Sequence, residues 1–410
     1  MEMIEGHAAI EPPVGVPVWD VDPYDPKILS NPDDYYAELR GRGPFVFIPR
    51  YSILACGRHQ EAHEVFSDWE RFVSSRGVGL QDFKLETPWR PPSIILEVDP
   101  PAHNRTRKVM ARVLSPKAVG VLRESFQAAA DKLIDALLDK GSFEAISELA
   151  EVFPTNVFPD AVGLRKVNRR YLIDYGAMVF NALGPDNLLR RNAMAMGPEI
   201  VPWITEQCKR ENLNSQGFGA EIYAAADAGE ITQDEAGMLV RSLLSAGVDT
   251  TVTGIGSALW CLATNPDQFE ILKTDPKLSR PAFEEVLRYT SPVHSFCRTA
   301  ALDTKVSGIE IAQGTKVLCV LGAANSDETK WVEADKFNVA RRPTGHLAMG
   351  AGIHGCVGQN LARVEVGAVL TAIVNKVDKI ELTAPAEWRP NNAIHALDKL
   401  PVKLTRSQSV

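Results

Sequence analysis

Cys356 lies in the run Met349-Gly350-Ala351-Gly352-Ile353-His354-Gly355-Cys356-Val357-Gly358, where glycines bracket one sulfur just ahead of an amphipathic helix. Glycines let a chain turn tightly and approach a flat ligand closely. A helix start adds partial positive charge and free N–H donors, which favour the thiolate over the thiol. Such a sulfur suits the work of an anionic metal ligand held out beneath a planar ring. The bland alternative is a glycine turn around a buried structural cysteine. Cys56, Cys208, Cys261, Cys297 and Cys319 are scattered, form no CxxC pair, and read as small buried hydrophobes.

Two further groupings could do chemistry. Ala246-Gly247-Val248-Asp249-Thr250-Thr251 falls in the middle of a long apolar segment. Glycine costs about 1 kcal/mol against alanine inside a helix, and Asp and Thr are also poor formers, so three such residues at a helix centre need a reason. Small residues leave space beside the helix; a threonine hydroxyl can bend it or donate to a ligand, and Asp249 can carry protons inward. A kinked helix with satisfied polar groups would leave the same trace. Glu285 and Arg288, three apart, share one helix face; on a surface that pair would contribute only a few tenths of a kcal/mol.

The elements that must position these residues are mostly helical. Pro32-Asp33-Asp34 starts a short helix and Ser115-Pro116 another, with apolar residues at Val119, Leu122, Phe126, Ala129, Leu133, Ile134 and Leu137. Thr232 with Glu235 forms a capping box, and apolar periodicity continues through Leu243 and Val248 to Leu262, with Asn265-Pro266 as the stop. The pattern predicts one central helix over 232–264, about 45 Å long at 1.5 Å per residue. Strand-like pieces fall at Phe45–Phe47, Ser52–Cys56, Thr304–Val306, Ile309–Ile311 and Val317–Val320. Residues 1–30 read as a proline-rich surface arm, 74–93 as a long ordered loop of the kind that usually serves function, and 345–358 as the cysteine loop. The expected fold class is mainly α with small β-sheets, in one large domain over 1–410.

Composition narrows the function. Hydrophobic residues make up 45% and charged residues 23% of 410, the profile of a globular protein. A net charge of −8 argues against nucleic acid as the main partner. No apolar run reaches the roughly 20 residues that span a bilayer, and the N-terminus has no signal-peptide pattern, so a cytoplasmic location without a membrane partner is expected.

The cysteine run resembles the haem-binding loop of the cytochrome P450 family, F-x-x-G-x-H-x-C-x-G, with Met349 at the phenylalanine position. The resemblance implies a haem b whose iron is ligated by the Cys356 thiolate. It implies that Asp249 and Thr250 act as the family's acid–alcohol pair in activating dioxygen. It also implies that Glu285 and Arg288 form a structural network with an arginine before the loop, Arg341 or the adjacent Arg342. His103, Arg107, Arg298 and His354 match positions that bind haem propionates in relatives, and arginine forks suit carboxylates. The chain has no flavin or nucleotide motif, so the family's external electron supply, a [2Fe-2S] ferredoxin with its flavin reductase, is expected to dock on a basic patch near Cys356.

Ser74 to Leu80, Trp89 to Ser93 and Arg241 to Gly247 are similar to a bacterial subfamily that oxidises para-substituted benzoic acids, 4-methoxybenzoate O-demethylation being its typical reaction. This implies a substrate carboxylate at Arg90, Ser93, Arg241 and Ser242 and a ring between Phe180 and Phe296. Leu183 stands where relatives often have a second phenylalanine, and His294 is unusual beside the pocket. A peroxide-driven haem enzyme and a non-catalytic haem protein that binds a ligand are the other classes; turnover with ferredoxin and product formation discriminate them.

Overall fold

The computed structural model describes residues 2–407. Seven helices carry the site: α1 (Ala102–Val113), α2 (Arg123–Lys140), α3 (Arg169–Asn181), α4 (Gln233–Ala246), α5 (Asp249–Thr264), α6 (Ser279–Thr290) and α7 (Gln359–Lys376). The largest core cluster joins buried residues of all seven, among them Leu244, Leu259, Val286 and Leu370. The fold is mainly α with small sheets in a single domain, as expected.

The largest sheet has five strands: β1 (Val46–Ile48), β2 (Ile53–Cys56), β3 (Phe72–Val73), β4 (Ser295–Ala300) and β5 (Lys316–Val320), in the order β1-β2-β5-β4-β3. All five residues of β5 are buried. The strand pairs in parallel with β2, Val317 opposite Leu54, and antiparallel with β4, Val317 opposite Arg298. Sequence periodicity found β1, β2 and β5 within one residue at each end. It missed β4 and the C-terminal pieces Val377–Leu382, Glu387–Arg389, Ala396–Lys399 and Pro401–Arg406.

The central helix differs from expectation. Thr232 does cap it, accepting the Glu235 N–H, and Asn265 does end it. Between these, Gly247 and Val248 interrupt the helix, so α4 and α5 replace the single helix over 232–264. Packing explains the choice of glycine: a Cβ on Gly247 would lie 2.4 Å from Phe158 Cε2. The segment from Ser115 likewise breaks, after Pro116–Gly120, before α2 begins.

The loop over 74–93 contains no regular element but is well tied. Ser74 and Ser75 donate their N–H groups to the Asp99 carboxylate, both at 3.0 Å. Val78 accepts from Cys297 N–H at 2.7 Å, and Leu80 N–H donates to the Leu183 carbonyl at 3.0 Å. Gly79 is forced, since a Cβ there would sit 2.5 Å from the Leu183 carbonyl oxygen. The ammonium of Lys316, 1% exposed, donates to the carbonyls of Arg76 and Gly77 at 2.9 and 3.0 Å.

The N-terminal arm is more structured than a proline-rich sequence suggests. Met3–Ile4 pairs with His7–Ala8 in a small hairpin. The Gly6 carbonyl accepts from Asp82 N–H at 3.0 Å, and the Glu5 carboxylate accepts from Asp186 N–H at 3.0 Å. The hairpin thus bridges the 74–93 loop and the turn after α3. Among the described residues, no helix is long and apolar enough to cross a membrane.

Candidate active site

Cys356 sits two residues before the Gly358 cap of α7. Its own N–H donates to the Met349 carbonyl at 2.7 Å, so the loop closes through the backbone of the residue that replaces the family's aromatic. The Met349 side chain packs, half-buried, against the main core. Gly350 and Gly352 have φ of +71° and +64°, a region that favours glycine. Gly352 also lies so close to the helix His59–Ser67 that a Cβ would meet Ser67 Cα at 2.8 Å. Burial pushes the Cys356 thiol up; the backbone N–H groups of Gly358 and Gln359 and the Arg107 and Arg363 guanidiniums pull it down. These are the groups a thiolate ligand needs around it.

The four expected propionate cations gather next to this loop. The His103 and His354 rings meet edge to face, 4.5 Å between centroids. His103 Nε2 and both ring nitrogens of His354 are buried without a hydrogen-bond partner among the described residues. Arg298 is 2% exposed, lies 4.1 Å over the Phe66 ring, and donates only to the Cys297 carbonyl. Burial lowers the pKa of both Arg107 and Arg298. His354 Nε2 lies 3.6 Å from Asp99 Oδ1, too long for a hydrogen bond. Burial alone would raise Asp99, but His354, Ser75 and Ser74 hold its carboxyl at about 2. Two guanidiniums and under-partnered histidine ring nitrogens around one thiol are a donor set that fits the two carboxylates of a haem.

Behind the loop, Glu285 and Arg288 form a fully buried bidentate pair at 2.8 and 2.9 Å. Arg341, not Arg342, joins it, with Nε 2.9 Å from Glu285 Oε1. Arg288 also donates to the carbonyls of Asn325 and Ala334, and Arg341 to those of Val332 and Glu333. The network clamps the segment leading into the cysteine loop.

At the α4–α5 break, the Thr250 hydroxyl donates to the Ala246 carbonyl at 2.7 Å and that of Thr251 to Gly247 at 3.1 Å. Asp249, 1% exposed, accepts from Arg389 Nη2 at 3.3 Å, while its Oδ2 has no partner among the described residues. Asp249, Arg389 and Glu151 line one small cavity. Burial raises both carboxyls, with Arg389 opposing at Asp249 and Arg170, then Arg389, at Glu151. A second buried acid, Glu365 on α7, accepts from the Thr251 hydroxyl at 3.3 Å and is pushed by burial up to about 8.

The expected acid-binding residues come together in part. Arg90 and Arg241 both donate to the Pro91 carbonyl, at 3.2 and 2.9 Å. Ser93 Oγ accepts from Leu96 N–H at 3.2 Å. The Ser242 hydroxyl instead bonds back along α4 to the Met238 carbonyl at 3.0 Å. Phe180 and Phe296 share one apolar cluster with Leu183, Val293 and Ile394. His294 is 7% exposed, faces the Asn391 carbonyl at 3.2 Å, and is lowered by burial to about 4, so it is a neutral wall.

Sequence reasoning missed Arg389, Glu97, Glu365 and Lys316. Arg389 lies 140 positions from Asp249, and no local spacing announces that pair. Glu97 had a signal: it follows Ser93 by one turn, and its carboxylate accepts the Ser93 N–H at 2.7 Å.

Comparison with known proteins agrees with this geometry. The Cytochrome P450 family model matches residues 277–387. The chain is 48% identical over 392 residues to Cytochrome p450 CYP199A2 of Rhodopseudomonas palustris, covering 95% of each. It is 31% identical over 395 residues to the beta-dihydromenaquinone-9 omega-hydroxylase of Mycobacterium tuberculosis, covering 94% of this chain and 78% of that one. The solved structure of cytochrome P450 CYP109Q5 from Chondromyces apiculatus superposes with a TM-score of 0.79 at 27% identity, over 95% of this chain and 99% of that one.

Proposed function

The chain belongs to the cytochrome P450 family of haem-thiolate monooxygenases, and from that premise we propose that it oxidises the para substituent of small aromatic carboxylic acids, with 4-methoxybenzoate O-demethylation as the reaction. The observation that carries this reading is the meeting of two guanidiniums, Arg90 and Arg241, at the Pro91 carbonyl, where Arg90 shares a cavity with Leu183, which packs on the apolar cluster of Phe180 and Phe296. A buried cation at the end of an apolar pocket favours an anionic head on a flat body.

When bound, the haem supplies the thiolate-ligated iron at which dioxygen is activated. The remaining work belongs to the chain. Arg90, Arg241 and the Ser93 hydroxyl hold the carboxylate, and Ser242 joins by releasing its bond to Met238. Phe180 and Phe296 keep the ring flat and exclude water. Asp249 relays protons by swinging from Arg389 toward the Thr250 hydroxyl, and Arg389 and Glu151 share its small cavity. Cys356 holds the cofactor, and His103, Arg107, Arg298 and His354 bind its propionates. Hydroxylation of the methoxy carbon gives a hemiacetal that releases formaldehyde and 4-hydroxybenzoate. Electrons come from a [2Fe-2S] ferredoxin and its flavin reductase.

Titrating the holoprotein with 4-methoxybenzoate is expected to shift the haem to high spin, and NADH with ferredoxin and reductase to yield formaldehyde. Arg90→Ala is expected to weaken the acid at least about tenfold more than a neutral analogue, one lost charge-assisted bond being about 1.5–3 kcal/mol. No spectral shift with a panel of para-substituted benzoates would overturn the proposal.

A further inference from the structure

We propose that Glu97 is the resident counter-ion of Arg90 and thereby selects which anions the pocket accepts. The inference rests on the substrate reading above and adds a residue that it does not contain. The two side chains are 12% and 4% exposed, with Arg90 Nη2 3.5 Å from Glu97 Oε2. Glu97 is fixed from behind: the Ser93 N–H donates to the same Oε2 at 2.7 Å, and the Glu97 N–H donates to the Ser93 carbonyl at 2.9 Å. The carboxylate is therefore held one turn from the serine expected to touch substrate.

The Arg90–Glu97 contact is longer than the 2.7–2.9 Å of a strong charge-assisted bond. Arg90 Nε is buried with no partner among the described residues, so much of the guanidinium's donor capacity is unused. Arg90 and Glu97 line one cavity with Trp89, Val179 and Leu183. Arg241 reaches from α4 to the Pro91 carbonyl that Arg90 also touches, and Lys316 lies behind the loop. A buried guanidinium without an anion is unfavourable, so Glu97 stabilises the substrate-free site. The same charge opposes an incoming carboxylate a few ångströms away, and opposes a dianion more. Glu97 thus lowers affinity for acids, filters against doubly charged heads, and leaves neutral ligands untouched.

The test is calorimetric and spectral titration of the holoprotein with 4-methoxybenzoate, 4-methoxyphenyl phosphate and neutral 4-methoxybenzyl alcohol. Wild type, Glu97→Gln, Arg90→Gln and the double variant are compared. Gln keeps an acceptor for the Ser93 N–H. Glu97→Gln is expected to tighten the benzoate about tenfold and the phosphate more, with the alcohol changed less than twofold. In the Arg90→Gln background the gain shrinks, since competition for Arg90 is gone and only the direct repulsion by Glu97 is left to relieve. Should Glu97→Gln fail to load haem, as judged by its reduced carbon-monoxide spectrum, Glu97→Asn takes its place. Benzoate binding by Glu97→Gln equal to or weaker than wild type, or a gain undiminished without Arg90, overturns the inference alone. Wild type that binds no benzoate overturns the substrate reading, and this inference with it.

Discussion

Glu365 shows how far burial alone can move a group. Its carboxyl, 1% exposed and hydrogen-bonded among the described residues only to the Thr251 hydroxyl, is raised from 4.5 to about 8. The folded chain keeps this proton where the unfolded chain releases it above 4.5. Stability from this group is therefore full below that value, falls as pH climbs from 4.5 to about 8, and is flat beyond. Each pH unit in that window is worth up to about 1.4 kcal/mol. Glu365→Gln is expected to be more stable than wild type by an increment that grows across this window, measured by urea denaturation at several pH values. A constant offset would show that Glu365 is already ionised in the fold. The contrast with Glu285 is one of partners: equally buried, it accepts hydrogen bonds from both Arg288 and Arg341.

At the scale of elements, the α4–α5 break sets where Asp249 and Thr250 begin the second helix. Two effects oppose in Gly247→Ala. Alanine is favoured in helices by about 1 kcal/mol, while the new methyl enters Phe158 and the Leu243 carbonyl at a cost of about 1–3 kcal/mol. The clash is expected to win, lowering stability by up to about 2 kcal/mol in urea unfolding and perturbing the Thr250 back-bond. Both ends of this helical pair were legible, because a capping box and an Asn-Pro stop are local chemistry. The break was not legible, because its cause is Phe158, 89 positions earlier. The same division holds in the site. Cys356, with its glycines and its helix start, could be found from spacing, and Glu285 with Arg288 likewise. The choice of Arg341 over Arg342, the turn of Asp249 toward Arg389, and the clasp of Lys316 on the 74–93 loop depend on contacts between distant segments.

For the whole molecule, charge is uneven in a way the total of −8 conceals. A groove of about 380 Å³ between α2, α6 and α7 is lined by Arg123, Arg280 and Arg363, on the helix that begins just after Cys356. Arg363 is held by Glu284, whereas Arg123 and Arg280 are exposed. Such a rim suits an acidic ferredoxin. Arg280→Glu and Arg123→Glu are expected to raise the ferredoxin KM severalfold with little change in substrate affinity. Rising salt should have the same effect on wild type, within the reach of a Debye length of about 8–10 Å. A salt-independent KM would remove this surface from consideration. The hairpin of residues 3–8 has a different kind of consequence. Its Gly6 and Glu5 contacts stitch the 74–93 loop to the turn after α3, two segments that must part if a guest is to enter between them. Removing residues 2–9 should speed both arrival and escape of a benzoate in stopped-flow mixing while leaving the ratio of the two rates nearly unchanged. Anyone immobilising this enzyme on a support, or fusing it to an electron donor, would then do well to join it at the other end, since a weight hung on the hairpin would set the residence time of every molecule passing through.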